Sequence, residues 1–142
     1  MKNSIELSIT VHATAPEAWS ALTDLDELEN WWSEDVRLEP RVGGIFREVW
    51  EDDSGKSQLA SGKVLAVTKN KEITFTWKEK SWPPTASTQC TFRIEDKKNQ
   101  RVLHILHEGW ESIPEAQRKK VVEDFTLGWK FHLKELKSYL DD

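Results

Sequence analysis

The sequence predicts an α+β fold in which a curved antiparallel β-sheet packs around one long C-terminal α-helix. Three observations support this prediction. Alternating apolar and polar residues recur in about seven short stretches, turn residues separate these stretches, and the end of the chain carries one apolar stripe at helical spacing. A helix with a single stripe must cover a surface, and the sheet is the only large surface that the pattern offers.

A strand and two short helices open the predicted fold. Residues 5–11 alternate apolar and polar side chains, which predicts a strand with one buried face. The stretch from Thr14 to Glu17 has the sequence of a capping box, and Pro16 falls in the first helical turn, where its missing N–H is harmless. Asp24 is placed to cap a second short helix over about residues 25–31.

The middle of the chain has mostly a β pattern. Residues 43–44 are a glycine pair that indicates a turn or bulge, residues 52–56 indicate a hairpin loop, and residues 69–71 indicate a further turn. Two adjacent prolines exclude residues 82–84 from a strand interior, because each proline removes a ladder donor. The main strands are expected at residues 45–51, 58–68, 73–77, 88–94 and 101–108.

The sequence predicts one long helix at the end of the chain. Ser112 or Ile113 opens this helix together with Pro114, and the helical pattern continues to about residue 140. The apolar stripe of the helix consists of Val122, Phe125, Trp129, Leu133, Leu136 and Leu140.

Composition limits the classes of function. A length of 142 residues predicts a single domain over residues 1–142, and a net charge of −5 with scattered basic residues argues against nucleic acid as a partner. Cys90 is the only cysteine, which excludes an internal disulfide and a cysteine-based metal cluster. No apolar signal segment opens the sequence, and the longest aliphatic run, residues 64–67, is too short to span a membrane. We therefore expect a soluble cytoplasmic protein.

Tryptophan is unusually frequent, with eight indoles against five phenylalanines and one tyrosine. An indole has a large apolar area and one N–H, which suits the wall of a pocket with a few polar anchors. Trp19 is expected in the core, Trp82 in a lid, a sheet edge or a partner contact, and Cys90 as a small buried hydrophobe. The candidate ligand-binding residues are Trp31, Trp32, Phe46, Glu48, Trp50, Phe75, Trp77, Phe92, His107, Trp110, Phe125, Trp129 and His132.

Glu48 is the main polar candidate, and its role depends on which row of its strand faces inward. If Phe46 and Trp50 face inward, Glu48 lies between them on the same face. Its pKa is then raised by desolvation unless a partner compensates, and the carboxyl group can anchor a ligand hydroxyl or amine, or act as an acid. The alternative is that Ile45 and Val49 face inward and Glu48 faces water.

The histidines offer a second set of polar candidates. His104 and His107 lie three residues apart on a strand, so they are on opposite faces and cannot share one metal site. His107 faces the interior if it shares a row with Ile105, whereas His104 does so if it shares a row with Leu106. His132 lies at the edge of the helix stripe. We name no catalytic residue, no metal ligand and no cofactor.

Several short motifs accompany this order of elements. They are Thr14 to Trp19, Trp31-Trp32, Pro40 to Phe46, and Phe75 to Trp77. Together they resemble the START-like (SRPBCC) superfamily. Within it, His107 to Trp110 and Gly128-Trp129 look like the branch named for activators of the heat-shock-protein ATPase. Lys80 to Pro83 is similar to the stretch before the sixth strand in the C-terminal domain of the eukaryotic cochaperone.

The resemblance implies a helix-grip fold, with a seven-stranded antiparallel sheet wrapped around the C-terminal helix and a cavity between them. The superfamily includes lipid and polyketide binders, aromatase-cyclases and cochaperone domains. The cochaperone also has a separate N-terminal domain that contacts the chaperone, and we expect no room for it within these 142 residues, which argues against ATPase activation.

Three functions compete at this point. We favour a protein that binds an apolar, aromatic or lipid-like small molecule in the cavity, because the candidate residues are nearly all apolar. A cyclase or hydratase using Glu48 and a cavity histidine is the first alternative. A chaperone-associated module contacting its partner through Trp82 is the second. The protein is expected to be a monomer or weak homodimer.

Overall fold

The computed structural model describes residues 4–141. Its elements are β1 (Ile5–Val11), α1 (Ala15–Thr23), α2 (Leu25–Leu28), β2 (Val36–Leu38), β3 (Ile45–Glu51), β4 (Ser57–Thr68), β5 (Glu72–Glu79), β6 (Thr88–Lys97), β7 (Gln100–Glu108), a single 3-10 turn (Trp110–Ser112) and α3 (Glu115–Asp141). Seven strands form one antiparallel sheet in the order β1-β7-β6-β5-β4-β3-β2. This arrangement confirms the predicted α+β helix-grip fold.

The first helix begins at the predicted capping box. The main-chain N–H of Thr14 donates to the Glu17 carboxylate at 2.9 Å, and the N–H of Glu17 donates to Thr14 Oγ1 at 3.3 Å. Two of the N–H groups left free at the helix start are thereby satisfied. Trp19 and Leu22 are both buried, which confirms the core position expected for Trp19.

The second helix is shorter than predicted. It ends at Leu28 instead of continuing to Trp31, and Asp24 occupies the N-cap position without forming a side-chain capping bond. Residues 29–32 form a turn, in which the main-chain N–H of Trp32 bonds to the Leu28 carbonyl at 2.9 Å. The indole of Trp31 donates to the Ala21 carbonyl at 2.7 Å, which ties that ring to the first helix. Packing of Trp31 in the core therefore takes precedence over helical continuity.

Strand β4 contains a close approach to β5 and a bulge. An added Cβ at Gly62 would lie 1.7 Å from the Thr76 carbonyl oxygen, so the two main chains meet there without room for a side chain. The pairing register of β4 with β5 then shifts between Val64 and Ala66. Bulges of this kind increase the twist and bend a strand, which helps the sheet to curve around the helix.

Helix α3 covers the concave face of the sheet with the predicted stripe. Trp129, Leu133 and Leu136 are buried, and Phe125 and Leu140 are partly buried against the same core. Across residues 4–141, no helix combines the length and the apolarity needed to cross a membrane.

A candidate ligand cavity between the sheet and the C-terminal helix

A cavity of about 550 Å³ lies between the sheet and α3, within the range of small-molecule sites. Its inner wall is aromatic. The ring of Trp32 lies 5.2 Å from that of Trp129 and 6.0 Å from that of Trp77, and Trp77 meets Phe125 edge-on at 5.6 Å. At the entrance, Pro83 and Gln117 are exposed. The inner wall of the cavity is therefore largely aromatic, and its exposed edge includes Pro83 and Gln117.

Seven of the thirteen candidate residues line this cavity. They are Trp32, Glu48, Trp50, Trp77, Phe125, Trp129 and His132. The other six are buried in the core outside the lining: Trp31, Phe46, Phe75, Phe92, His107 and Trp110. The structure thus divides the candidates by depth, and a ligand role for any of them remains a prediction.

Ten further residues that the sequence did not identify as candidates also line the cavity. They are Glu79, Ser81, Trp82, Pro83, Ile113, Pro114, Gln117, Val121, Asp124 and Gly128. Two signals could have found some of them. Glu79 continues the alternation that places Trp77 inward, and Val121 and Gly128 lie at helical spacing from Phe125.

Gly128 leaves part of the cavity open. A Cβ added at this position would meet no heavy atom within 4 Å, although the residue lies in the interior of a 27-residue helix. Glycine in a helix interior weakens the helix by about 1 kcal/mol relative to alanine. The missing side chain instead enlarges the cavity beside Trp129.

The inward row of β3 contains Glu48. Phe46 is buried and Ile45 is exposed, so Phe46, Glu48 and Trp50 form the inner row. Glu48 pairs with Ala60 on β4, and Ala60 pairs in turn with Glu79 on β5. The two carboxylates therefore lie in one row across three strands, separated by a small methyl side chain.

Both carboxyl groups are perturbed by their surroundings. The pKa of Glu48 is raised to about 7, mainly by burial and also by the nearby Glu79 charge, while the Trp32 indole partly opposes the shift. Burial also raises the pKa of Glu79, and the Trp77 indole, which donates to its Oε2 at 3.2 Å, opposes that shift. Within residues 4–141, neither carboxylate takes part in an ion pair.

Replacing Glu48 by glutamine is expected to stabilise the free protein at high pH. The folded state favours the protonated carboxyl, so this group's contribution to stability is full below pH 4.5 and is lost as pH rises through about 7. We expect Glu48→Gln to gain about 2 kcal/mol at pH 8.5 and almost nothing at pH 4. Urea denaturation at both values measures this, with Glu51→Gln, exposed on the same strand, as the control. An equal effect of Glu48→Gln at both pH values would contradict the expected burial.

His107 lies behind the cavity and is fully engaged. The Trp129 indole donates to its Nδ1 at 3.1 Å, and its Nε2 lies 2.8 Å from Thr88 Oγ1, whose own proton is donated to the Trp77 carbonyl at 3.0 Å. An indole N–H can only donate, so Nδ1 accepts and Nε2 carries the proton. Burial lowers the pKa of His107 to about 3, which keeps the ring neutral. This residue positions Trp77 and Trp129.

His132 lies on the helix side of the cavity. Burial lowers its pKa, an effect that the main chain of Trp31 and the charge of Glu135 partly offset. Its Nδ1 is buried and has no hydrogen-bond partner among the described residues. Glu48 can exchange a proton near neutral pH, and a neutral His132 can accept one. With Glu79, they are the groups that acid–base chemistry in this cavity would use.

The curved sheet, the gripping helix and the cavity between them define a START-like protein of the helix-grip class. The family model described as "Activator of Hsp90 ATPase homolog 1-like protein" matches residues 12–141. The chain belongs to that family.

Solved structures show the same fold. A protein from Chromobacterium violaceum superposes with a TM-score of 0.81 at 24% identity, covering 99% of this chain and 98% of that one. The Aha1 dimer from Colwellia psychrerythraea gives a TM-score of 0.73 at 23% identity, covering 97% of this chain and 96% of that one. An HSP90 activator from Plasmodium falciparum gives a TM-score of 0.73 at 23% identity, covering 96% of this chain and 95% of that one. No curated protein sequence matches the chain.

Proposed function

We propose that this protein binds an apolar small molecule in the cavity between the sheet and α3. The observation that carries the proposal is a cavity of about 550 Å³ with five indoles in its lining. Aromatic side chains supply large contact areas with little loss of side-chain freedom, which suits recognition of an aromatic or lipid-like body. Binding is favoured over catalysis because aromatic and aliphatic side chains outnumber polar ones in the lining.

Ligand binding should raise the melting temperature and perturb the cavity indoles. At a ligand concentration of about 100 Kd, the free energy of unfolding rises by about 2.7 kcal/mol, which corresponds to a shift of roughly 5–10 °C. A panel of aromatic and aliphatic compounds can be screened by thermal melting, and hits verified through the indole N–H signals in NMR spectra. If no member of a broad panel moves either readout, the proposal is wrong.

A variant that narrows the cavity, compared with a matched control outside it, tests where the ligand binds. Gly128→Leu places a side chain where a Cβ meets no atom within 4 Å, so it should occupy part of the cavity, keep the helix and weaken binding by at least about tenfold. The neighbouring Leu127 is 66% exposed and lies outside the lining, so Leu127→Gln should bind as the wild type does. Equal binding by the two variants would place the ligand elsewhere.

Association with a chaperone is the second candidate function, and family membership favours it. Trp82, the aromatic expected to contact the partner, is half-buried, lines the cavity and packs against Trp110 and Phe125 at 6.2 and 6.0 Å. This packing favours the cavity function. Capture of Hsp90 by the wild-type protein, and its loss in Trp82→Ala, would support the chaperone function instead.

A further inference from the structure

The carboxylates that line the cavity have no cationic partner within the lining that the structure describes. Its lining contains the acidic residues Glu48, Glu79 and Asp124, together with His132, Ser81 and Gln117. Among the described residues that line it, none is a lysine or an arginine. The only basic side chain in the lining is His132, and burial lowers the pKa of its ring. The wall is therefore aromatic and acidic, without a resident cation.

The two buried carboxylates are positioned for a shared guest. Glu48 and Glu79 flank Ala60 in one row across β3, β4 and β5. Neighbouring strands are about 4.8 Å apart, so the two main chains are separated by about 10 Å. The alanine methyl group fills little of the space between them, and a compact group there could approach both carboxylates. Burying an unpaired carboxylate is costly, and a cation placed between them would offset that cost.

The indoles add a second attraction for positive charge. Trp32, Trp50, Trp77, Trp82 and Trp129 all contribute to the lining. Indole is the aromatic ring that attracts cations most strongly, and cages of aromatic rings are the usual recognition elements for quaternary ammonium groups. An anion would meet the negative faces of these rings and the acidic side chains together.

We propose that the ligand of this cavity is an organic cation, in which an ammonium group joined to an apolar body lies between Glu48 and Glu79 among the indoles. This inference rests on the proposed function, since it names the chemical class of the small molecule. The apolar body occupies the aromatic part of the cavity beside Trp129 and Phe125.

Three probes of nearly equal shape separate charge from apolar contact. Phenyltrimethylammonium, tert-butylbenzene and benzenesulfonate carry a positive charge, no charge and a negative charge on similar tetrahedral groups. We expect the cation to bind at least about tenfold more tightly than the neutral probe, with the anion weakest. The indole N–H signals in NMR titrations measure all three affinities.

The outcomes separate the inference from the proposed function. Equal binding of the cation and the neutral probe would overturn the inference and leave the cavity function intact. Binding of none of the three would overturn the inference, whereas the proposed function fails only if the broad panel also shows no binding. Tightest binding of benzenesulfonate would also overturn the inference, because it would require a positive site that the lining does not contain.

Charge-neutral variants locate the interaction. Glu48→Gln and Glu79→Gln should each weaken binding of the cation by about tenfold and leave binding of tert-butylbenzene unchanged. Glu51→Gln, exposed and outside the lining, should change neither affinity. If both glutamine variants bind the cation as tightly as the wild type does, the carboxylates do not recognise it.

The pH dependence provides an independent readout, because phenyltrimethylammonium does not titrate. Glu48 on β3 and Glu79 on β5 face the cavity, as do Asp124 and His132 on α3, and Asp35 acts on Glu48. The pKa of Glu48 is raised to about 7, so affinity for the cation should rise as pH increases from 5.5 to 8.5. This rise should be much smaller in Glu48→Gln. An affinity that is flat with pH in the wild type would overturn the role of Glu48.

Discussion

Replacing Gly62 by alanine is expected to destabilise the fold by about 3 kcal/mol or more. The added Cβ would lie 1.7 Å from the Thr76 carbonyl oxygen, and it would also crowd the Thr76 side chain at 2.7 Å. The obstacle is main chain of the neighbouring strand, which cannot turn aside as a flexible side chain can. Relief requires β4 and β5 to separate at this point.

A second glycine provides the control for this experiment. Gly128→Ala should stabilise the protein by about 0.5–1 kcal/mol, because alanine favours a helix interior and its Cβ meets no atom within 4 Å. Urea denaturation of the two variants beside the wild type measures both changes. If Gly62→Ala is as stable as the wild type, the close approach of β4 to β5 is not as described.

Replacing His107 by leucine is expected to cost about 3 kcal/mol at pH 7.5. The substitution leaves the buried Trp129 indole N–H without its acceptor and removes the hydrogen-bond partner of Thr88 Oγ1. His104 is the matched control, since it lies three residues away on the opposite face of β7, half-buried beside Glu95. We expect His104→Leu to cost less than about 1 kcal/mol.

The destabilisation by His107→Leu should also depend on pH. Because burial lowers the pKa of His107 to about 3, its contribution to stability is full above pH 6.5 and is lost as pH falls toward 3. The difference between the wild type and His107→Leu should therefore shrink to about 1 kcal/mol at pH 5. A difference that grows on acidification would show that the histidine is protonated in the folded state.

Most elements of the fold could be predicted because their patterns are local. The alternation in β1 and the stripe of α3 are set by side chains a few residues apart, and both elements form where expected. The second helix was predicted too long because the position of Trp31 depends on a distant partner. Its indole bonds to the carbonyl of Ala21, ten residues earlier, and no local pattern contains that contact.

The lining of the cavity was harder to predict. A side chain that faces inward either lines the cavity or lies in the core behind it, and the sequence pattern does not distinguish the two positions. Phe75 and Trp77 point to the same side of β5, yet Phe75 is buried in the core and Trp77 lines the cavity. The distinction depends on where α3 crosses the sheet, which the sequence pattern does not contain. The row of Glu48 and Glu79 likewise depends on the pairing of both with Ala60, which is a property of the register.

The close packing of the indoles has an optical consequence. Trp32 lies 5.5 Å from the core ring of Trp31, and Trp82 lies 6.2 Å from that of Trp110. At such distances excitation passes between rings by dipole coupling before emission occurs. A ligand that quenches one cavity indole would therefore darken core indoles that it never touches. In a fluorescence titration, the fractional loss of intensity would exceed the fraction of tryptophans that contact the ligand. Such a titration would therefore measure the affinity well but would not identify the indoles in contact.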